Sequence, residues 1–210
     1  MRVVWSFLGT PHGVIVNGTS LSKNRRFVRP RKLIHVRKTK VMPIPERIEP
    51  KSLADYLDVL TKAVFQAGVS WKLIDDKWQA FREAFEDFDP SKVARFTEAD
   101  VQRLMSDQRL VRSKKKIQAT IHNARTLLEL DRKHHGFRNY LHSKGSYEEL
   151  STDIRKRFKF VGELSVYYFL FRVNEKVPYF ENWLTTIEGE HPRMREMIDL
   201  ARQTDPGAAC

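Results

Sequence analysis

Cysteine is nearly missing from this chain. Its one cysteine, Cys210, is the last residue, which excludes an internal disulfide and argues against a cysteine-built zinc site. A reducing cytoplasm suits such a composition. Long apolar runs are missing as well: no stretch approaches the roughly 18 residues that a membrane span requires. The segment 3–16 is interrupted by Gly9, Pro11, His12 and Gly13, so it does not form the apolar core of a secretory signal. No run alternates with period two for long enough to argue a sheet, Val14-Ile15-Val16 being too short. Acidic residues are absent from the first 41 positions, which hold ten lysines and arginines; the first acid is Glu46.

That last absence locates the charge. The chain has 38 bases against 26 acids, a formal net of +12, but positions 42–210 hold 28 bases against the same 26 acids. The excess therefore belongs to the N-terminal segment. Two readings stand side by side. One is a basic arm that grips nucleic-acid phosphates; the other is translated upstream sequence, with Met42 as the start of the protein. An intact mass measured on the endogenous protein separates them. The expected organisation is a basic arm over 1–49 and a helical domain over 50–205.

From Pro50 onward the pattern is helical. Leu53, Tyr56, Leu57, Leu60, Val64 and Ala67 trace one apolar face, and Gly68 supplies a stop. Ile74, Trp78, Phe81, Phe85 and Phe88 mark a second helix. Asp89-Pro90 reads as an N-cap and first helical residue. Thr97-Glu98-Ala99-Asp100 reads as a capping-box start. Ile117, Ile121, Ala124 and Leu128 line a long helix over 113–132, which His134-His135-Gly136 ends. Further helices are expected over 147–157, over 164–173 and, amphipathic, over 192–202. The one over 164–173 is apolar nearly all round, the mark of a central buried helix. The fold class is all-α, with roughly eight to ten helices joined by short connections.

Two short stretches carry the functional signal. In the first, a helix ends at Gly68 and sets Trp71 beside it, in Gln66-Ala67-Gly68-Val69-Ser70-Trp71. In the second, Phe158-Lys159-Phe160-Val161-Gly162 makes a tight hairpin between two helices. Backbone N–H groups at the start of the second helix can hold a phosphate, and a glycine there lets it approach. Lys159, Arg157, Arg155 and Lys156 supply positive charge nearby. By itself such a corner is also compatible with solvated surface. His134, His135 and His142 lack metal-site spacing.

Read in order, these stretches and three others resemble the 3-methyladenine DNA glycosylase I family, within the helix-hairpin-helix DNA glycosylases. The others are Phe88-Asp89-Pro90-Ser91-Lys92-Val93-Ala94, then Glu98-Ala99-Asp100-Val101-Gln102-Arg103-Leu104, then Lys116-Ile117-Gln118-Ala119 with Asn123-Ala124-Arg125. The resemblance implies a monofunctional hydrolase of base excision repair. It would flip an alkylated purine of the 3-methyladenine type out of double-stranded DNA and hydrolyse its N-glycosidic bond. It further implies that Gly68 and Val69 form the wedge in the base stack, that Trp71, Gln66 and Tyr168 line the base pocket, and that Lys159, Gly162, Arg157 and Lys116 meet phosphates. No cofactor and no metal are expected, and the protein is expected to act as a monomer at the nucleoid.

The chain diverges from the family in three places. Ala63 stands where the family has a base-recognising glutamate, the family's N-terminal segments have no counterpart in residues 1–52, and the His and Cys of its zinc site are missing beyond the hairpin helix. Glu175, shortly after that helix, is the expected acid facing the sugar, with Glu181 as the other candidate. Leu164 stands two residues after the hairpin glycine, where lyase relatives carry lysine, so no Schiff base is expected. The alternative reading is a catalytically inactive relative that binds damaged or abasic DNA.

Overall fold

Residues 46–187 are described by a computed structural model. Within them the chain is helical: α1 (Leu53–Gln66), α2 (Trp71–Ala84), a 3-10 turn (Glu86–Phe88), α3 (Pro90–Val93), α4 (Glu98–Ser106), α5 (Lys114–His134), α6 (Phe137–His142), α7 (Tyr147–Arg157), α8 (Glu163–Arg172) and α9 (Phe180–Leu184). No strand occurs among the described residues. The segment 14–16, the basic arm up to residue 45 and the expected helix over 192–202 lie outside them.

The helix starts follow from local chemistry. Asp55 accepts a hydrogen bond from the Ser52 backbone N–H at 2.9 Å, and Asp100 accepts one from Thr97 at 2.9 Å, closing capping boxes on α1 and α4. The Asp89 side chain accepts from the Ser91 N–H at 2.8 Å, with Pro90 as the first residue of α3. His135, at φ 54, turns the chain out of α5, and the Gly136 N–H donates to the Asp131 carbonyl.

The central element is α1. Beyond its apolar face (Leu57, Leu60, Val64 and Phe65), the polar Asp58, Thr61 and Gln66 are also buried. It packs against α2, α5 and α8. Burial raises the pKa of the Asp58 carboxyl. The charge is tolerated because Arg82 pairs with it at 2.5 Å and Trp78 Nε1 donates to it at 3.0 Å. The core side of α8 is buried from Val166 to Leu170. The chain joins this body before α1 begins: the Ile48 N–H donates to the Arg172 carbonyl at 2.8 Å, and the Arg47 guanidinium lies over the Phe171 ring.

The second helix is shorter than its apolar spacing suggests. It stops at Ala84, and Glu86, Asp87 and Phe88 then take left-handed backbone with φ of 54, 51 and 57. This turn folds Phe88 back on the residues before it. Trp78 stacks on Phe81 at 5.1 Å and on Phe88 at 5.3 Å, and Phe85 stacks on Phe81 and Phe88 at 6.1 and 5.6 Å. Closure of this aromatic stack offsets three residues of unfavourable backbone. Phe81 and Phe85 are fully buried, so Phe81→Ala is expected to cost about 3–5 kcal/mol of stability. Denaturant unfolding measures it.

Candidate DNA-facing site

Two loops, widely separated in sequence, are both fastened to one helix. Lys116, in the first turn of α5, donates from Nζ to the Ala67 carbonyl at 2.6 Å and the Phe65 carbonyl at 3.2 Å. These carbonyls end α1 and have no partner within the helix. Asn123, seven residues later and therefore on the same face of α5 about 10 Å along, is fully buried. Its Oδ1 accepts from the Lys159 N–H at 2.7 Å, and its Nδ2 donates to the Lys159 carbonyl at 3.1 Å. His122 Nε2 adds a donor to the Arg157 carbonyl at 3.1 Å. The helix end at Gly68 and the hairpin at Gly162 are thus both anchored on α5, at points about 10 Å apart along it.

At the first loop Gly68 has φ +74, a left-handed conformation that glycine adopts without cost, and it is exposed. Val69 is half-buried and packs on the core. Trp71 opens α2 and meets Tyr168 of α8 edge-on, ring centroids 5.1 Å apart. Tyr168 and Gln66 are buried, at 6% and 4% exposure, and Gln66 Oε1 has no hydrogen-bond partner in the fold. Arg172 Nη1 donates to the Tyr168 hydroxyl at 3.3 Å, and burial raises that hydroxyl's pKa. Gln66, Trp71 and Tyr168 therefore share one junction of α1, α2 and α8. Asp75, one turn beyond Trp71, pairs with Lys62 at 2.7 Å and is close enough for its charge to act on Tyr168. Asp75 was not among the residues expected at this junction. The i, i+4 step from Trp71 was the available signal.

At the second loop Phe158 and Val161 are buried, while Lys159 and Phe160 are exposed. Gly162 is the N-cap of α8, with φ −81 and ψ 178. That backbone suits any residue, and a Cβ added there would meet nothing within 4 Å. Neither the fold nor its packing requires glycine at this position. Among the described residues, Lys156 and Lys159 have no acidic partner. Arg155 lies 3.8 Å from Glu163.

Three of the expected site residues are engaged within the fold. Lys116 is half-buried and its ammonium is bonded to the C-terminal carbonyls of α1, so it caps that helix. Arg157 donates from Nε to Asp153 at 2.8 Å, as does the Tyr140 hydroxyl. Burial pushes the Asp153 carboxyl upward, but these hydrogen bonds outweigh it and hold the group below its ordinary range. Arg157 thus braces the end of α7. Glu175, 10% exposed, accepts from His142 Nε2 at 2.7 Å and lies 3.5 Å from Arg138 Nε. Its charge acts on Tyr56, ten residues before Gln66 and so about 15 Å back along α1. It belongs to the contact between α6 and the start of the helical body, away from Trp71. Nor do the residues fit the family's zinc. Asn174 and Lys176 flank Glu175, and among the described residues no group of three His, Cys, Asp or Glu is arranged to hold a metal.

Removing the α5 clamps should loosen the loops they hold. Asn123→Ala leaves both Lys159 backbone groups unpaired, at a cost of about 1–3 kcal/mol. Its signature is faster hydrogen exchange at the Lys159 amide. Lys116→Met should cost about 1–2 kcal/mol through the uncapped end of α1.

Comparison with known proteins agrees with this geometry. The methyladenine glycosylase family model matches residues 51–156. The DNA-3-methyladenine glycosylase 1 of Escherichia coli K12 is 34% identical over 126 residues, covering 50% of this chain and 67% of the relative. The DNA-3-methyladenine glycosylase of Haemophilus influenzae is 27% identical over 126 residues, covering 50% and 68%. The fold is similar to the 3-methyladenine DNA glycosylase I of Staphylococcus aureus, with a TM-score of 0.53 and 27% identity over 63% of this chain and 79% of that one. A crystal structure of 3-methyladenine DNA glycosylase I gives the same score over 60% and 81%. With half of its length matched by the family model, this chain belongs to the methyladenine glycosylase family.

Proposed function

We propose that the protein is a monofunctional DNA glycosylase that removes alkylated purines from double-stranded DNA in base excision repair. One observation carries this reading: α5 anchors two open glycine loops on one of its faces, and Gly162 has no intramolecular reason to be glycine. A phosphate at the start of α8 supplies the reason, because the free N–H groups of that turn face it and a side chain would obstruct it. Lys159 adds charge at the same place. Gly68 and Val69, exposed or half-buried at the end of α1, fill the gap left by an extruded base. That base enters beside Trp71, Gln66 and Tyr168.

Hydrolysis breaks the C1′–N bond, the electron pair leaving with the base, while water bonds to C1′ and gives up a proton. An alkylated purine departs easily because its ring carries positive charge before the bond breaks. A tryptophan face attracts such a cation by about 2 kcal/mol when water is excluded. Asp75, 44% exposed and paired with Lys62, brings a negative charge to this junction that favours the positive charge developing on the sugar. Leu164 provides no amine for a Schiff base. Acting on chromosomal DNA would place the protein at the nucleoid.

The burial of Ala63, where the family has its glutamate, together with the tight packing of Tyr168 on Trp71, supports a second reading: an inactive relative that binds damaged or abasic DNA. Incubation with methylated duplex DNA separates the two. Release of free 3-methyladenine or another alkylated purine, lost in Trp71→Ala and slowed in Asp75→Asn, is expected; binding without any release establishes the second. Borohydride trapping on abasic DNA should give no covalent adduct. Gly162→Ala should change stability by less than about 1 kcal/mol yet weaken DNA binding clearly. An unaltered affinity would remove the phosphate from the hairpin.

A further inference from the structure

The hairpin contains a residue that the fold does not explain. Lys159 is locked on both backbone groups by Asn123, and two residues later Val161 is buried. The residue between them must reverse the chain, and Phe160 does so at φ +57. Left-handed backbone is uncommon for any residue other than glycine and is a true outlier for a bulky one. Glycine would make the same turn at no steric cost. Phenylalanine brings no packing in return, since its side chain is among the few large apolar ones left exposed, at 50%, and none of the described ring contacts involves it. Strain of this kind at an exposed loop tip marks a contact made outside the chain.

The surroundings identify the contact. Phe160 lies between the exposed Lys159 and the open N-terminal turn of α8 at Gly162. The exposed Lys156 stands on the last turn of α7, next to Arg155, which lies 3.8 Å from Glu163 at the start of α8. This cationic rim suits a phosphodiester strand. In a duplex the bases are stacked inside, so the apolar surface available next to a bound phosphate is the deoxyribose. We propose that Phe160 packs on the deoxyribose adjoining the phosphate held by the hairpin, giving an affinity component that neither base sequence nor salt controls. The inference rests on the reading of the hairpin as a phosphate site.

The experiment uses the full chain and a short fluorescein-labelled duplex carrying a tetrahydrofuran abasic site, titrated by anisotropy over a range of salt. Phe160→Gly should bind about tenfold more weakly, as expected for the loss of a partly buried apolar side chain. Its slope of log affinity against log salt should match the wild type. It should melt at or above the wild-type temperature, because glycine relieves the turn. Phe160→Leu should keep most of the affinity. Lys159→Ala is the contrast, lowering the salt slope by about one. Wild-type affinity in Phe160→Gly overturns the proposal, as does an affinity loss accompanied by a lower melting temperature, which would assign Phe160 to folding. If the wild-type protein itself binds no duplex, the phosphate reading of the hairpin falls first.

Discussion

The site depends on two clamps made by one helix. Lys116 and Asn123 stand two turns apart on the same face of α5, one holding the end of α1 and the other the hairpin before α8. Each satisfies backbone groups that a helix end or a turn would otherwise leave unpaired. Because the partners are main-chain atoms, the clamps fix loop position without depending on neighbouring side chains. A rigid helix then transmits the spacing between the loops. Recognition of an unstacked base and an adjacent phosphate requires a fixed spacing of this kind, since one element must meet the strand while the other enters it.

Electrostatics distinguishes support from contact. The cations that could meet DNA divide into those already engaged and those left outward. Lys116 and Arg157 are engaged, with carbonyls and with Asp153, and both hold helix ends. Lys156 and Lys159 remain outward at the hairpin. The same division applies to acids. Glu175, 10% exposed, is bound by His142 and Arg138, whereas Asp75 is 44% exposed and pairs with Lys62 one turn beyond Trp71. A residue's charge therefore says little about its role until its partners are known.

Much of the fold was legible because periodic apolar spacing and capping chemistry act locally. The starts at Asp89 and Thr97 follow from side chains that reach backbone only two or three residues away. The end of α5 follows from His135 and Gly136 in the same way. What was not legible depended on distance. Phe88 continues the apolar spacing of α2, yet it leaves the helix because Trp78 and Phe85 offer it a stack. The short α6 and α9 have too few residues for a period to show. Phe160 reads as another apolar residue in a motif, and its strain appears only as a backbone angle.

The sequence by itself determined an all-α chain, a glycine-stopped helix with a tryptophan beside it, a hairpin rich in bases, and the order of motifs that places the chain in its family. These are properties of neighbours along the chain, set by period, propensity and composition. Tertiary structure alone decided which charges face outward, because a lysine is a cap or a phosphate contact according to which carbonyls come near it. It also separated Glu175 from Trp71, because the start and the end of α1 are held apart by the length of the helix. And it showed Gly162 to be free of every internal constraint, which only the space around a missing side chain can reveal.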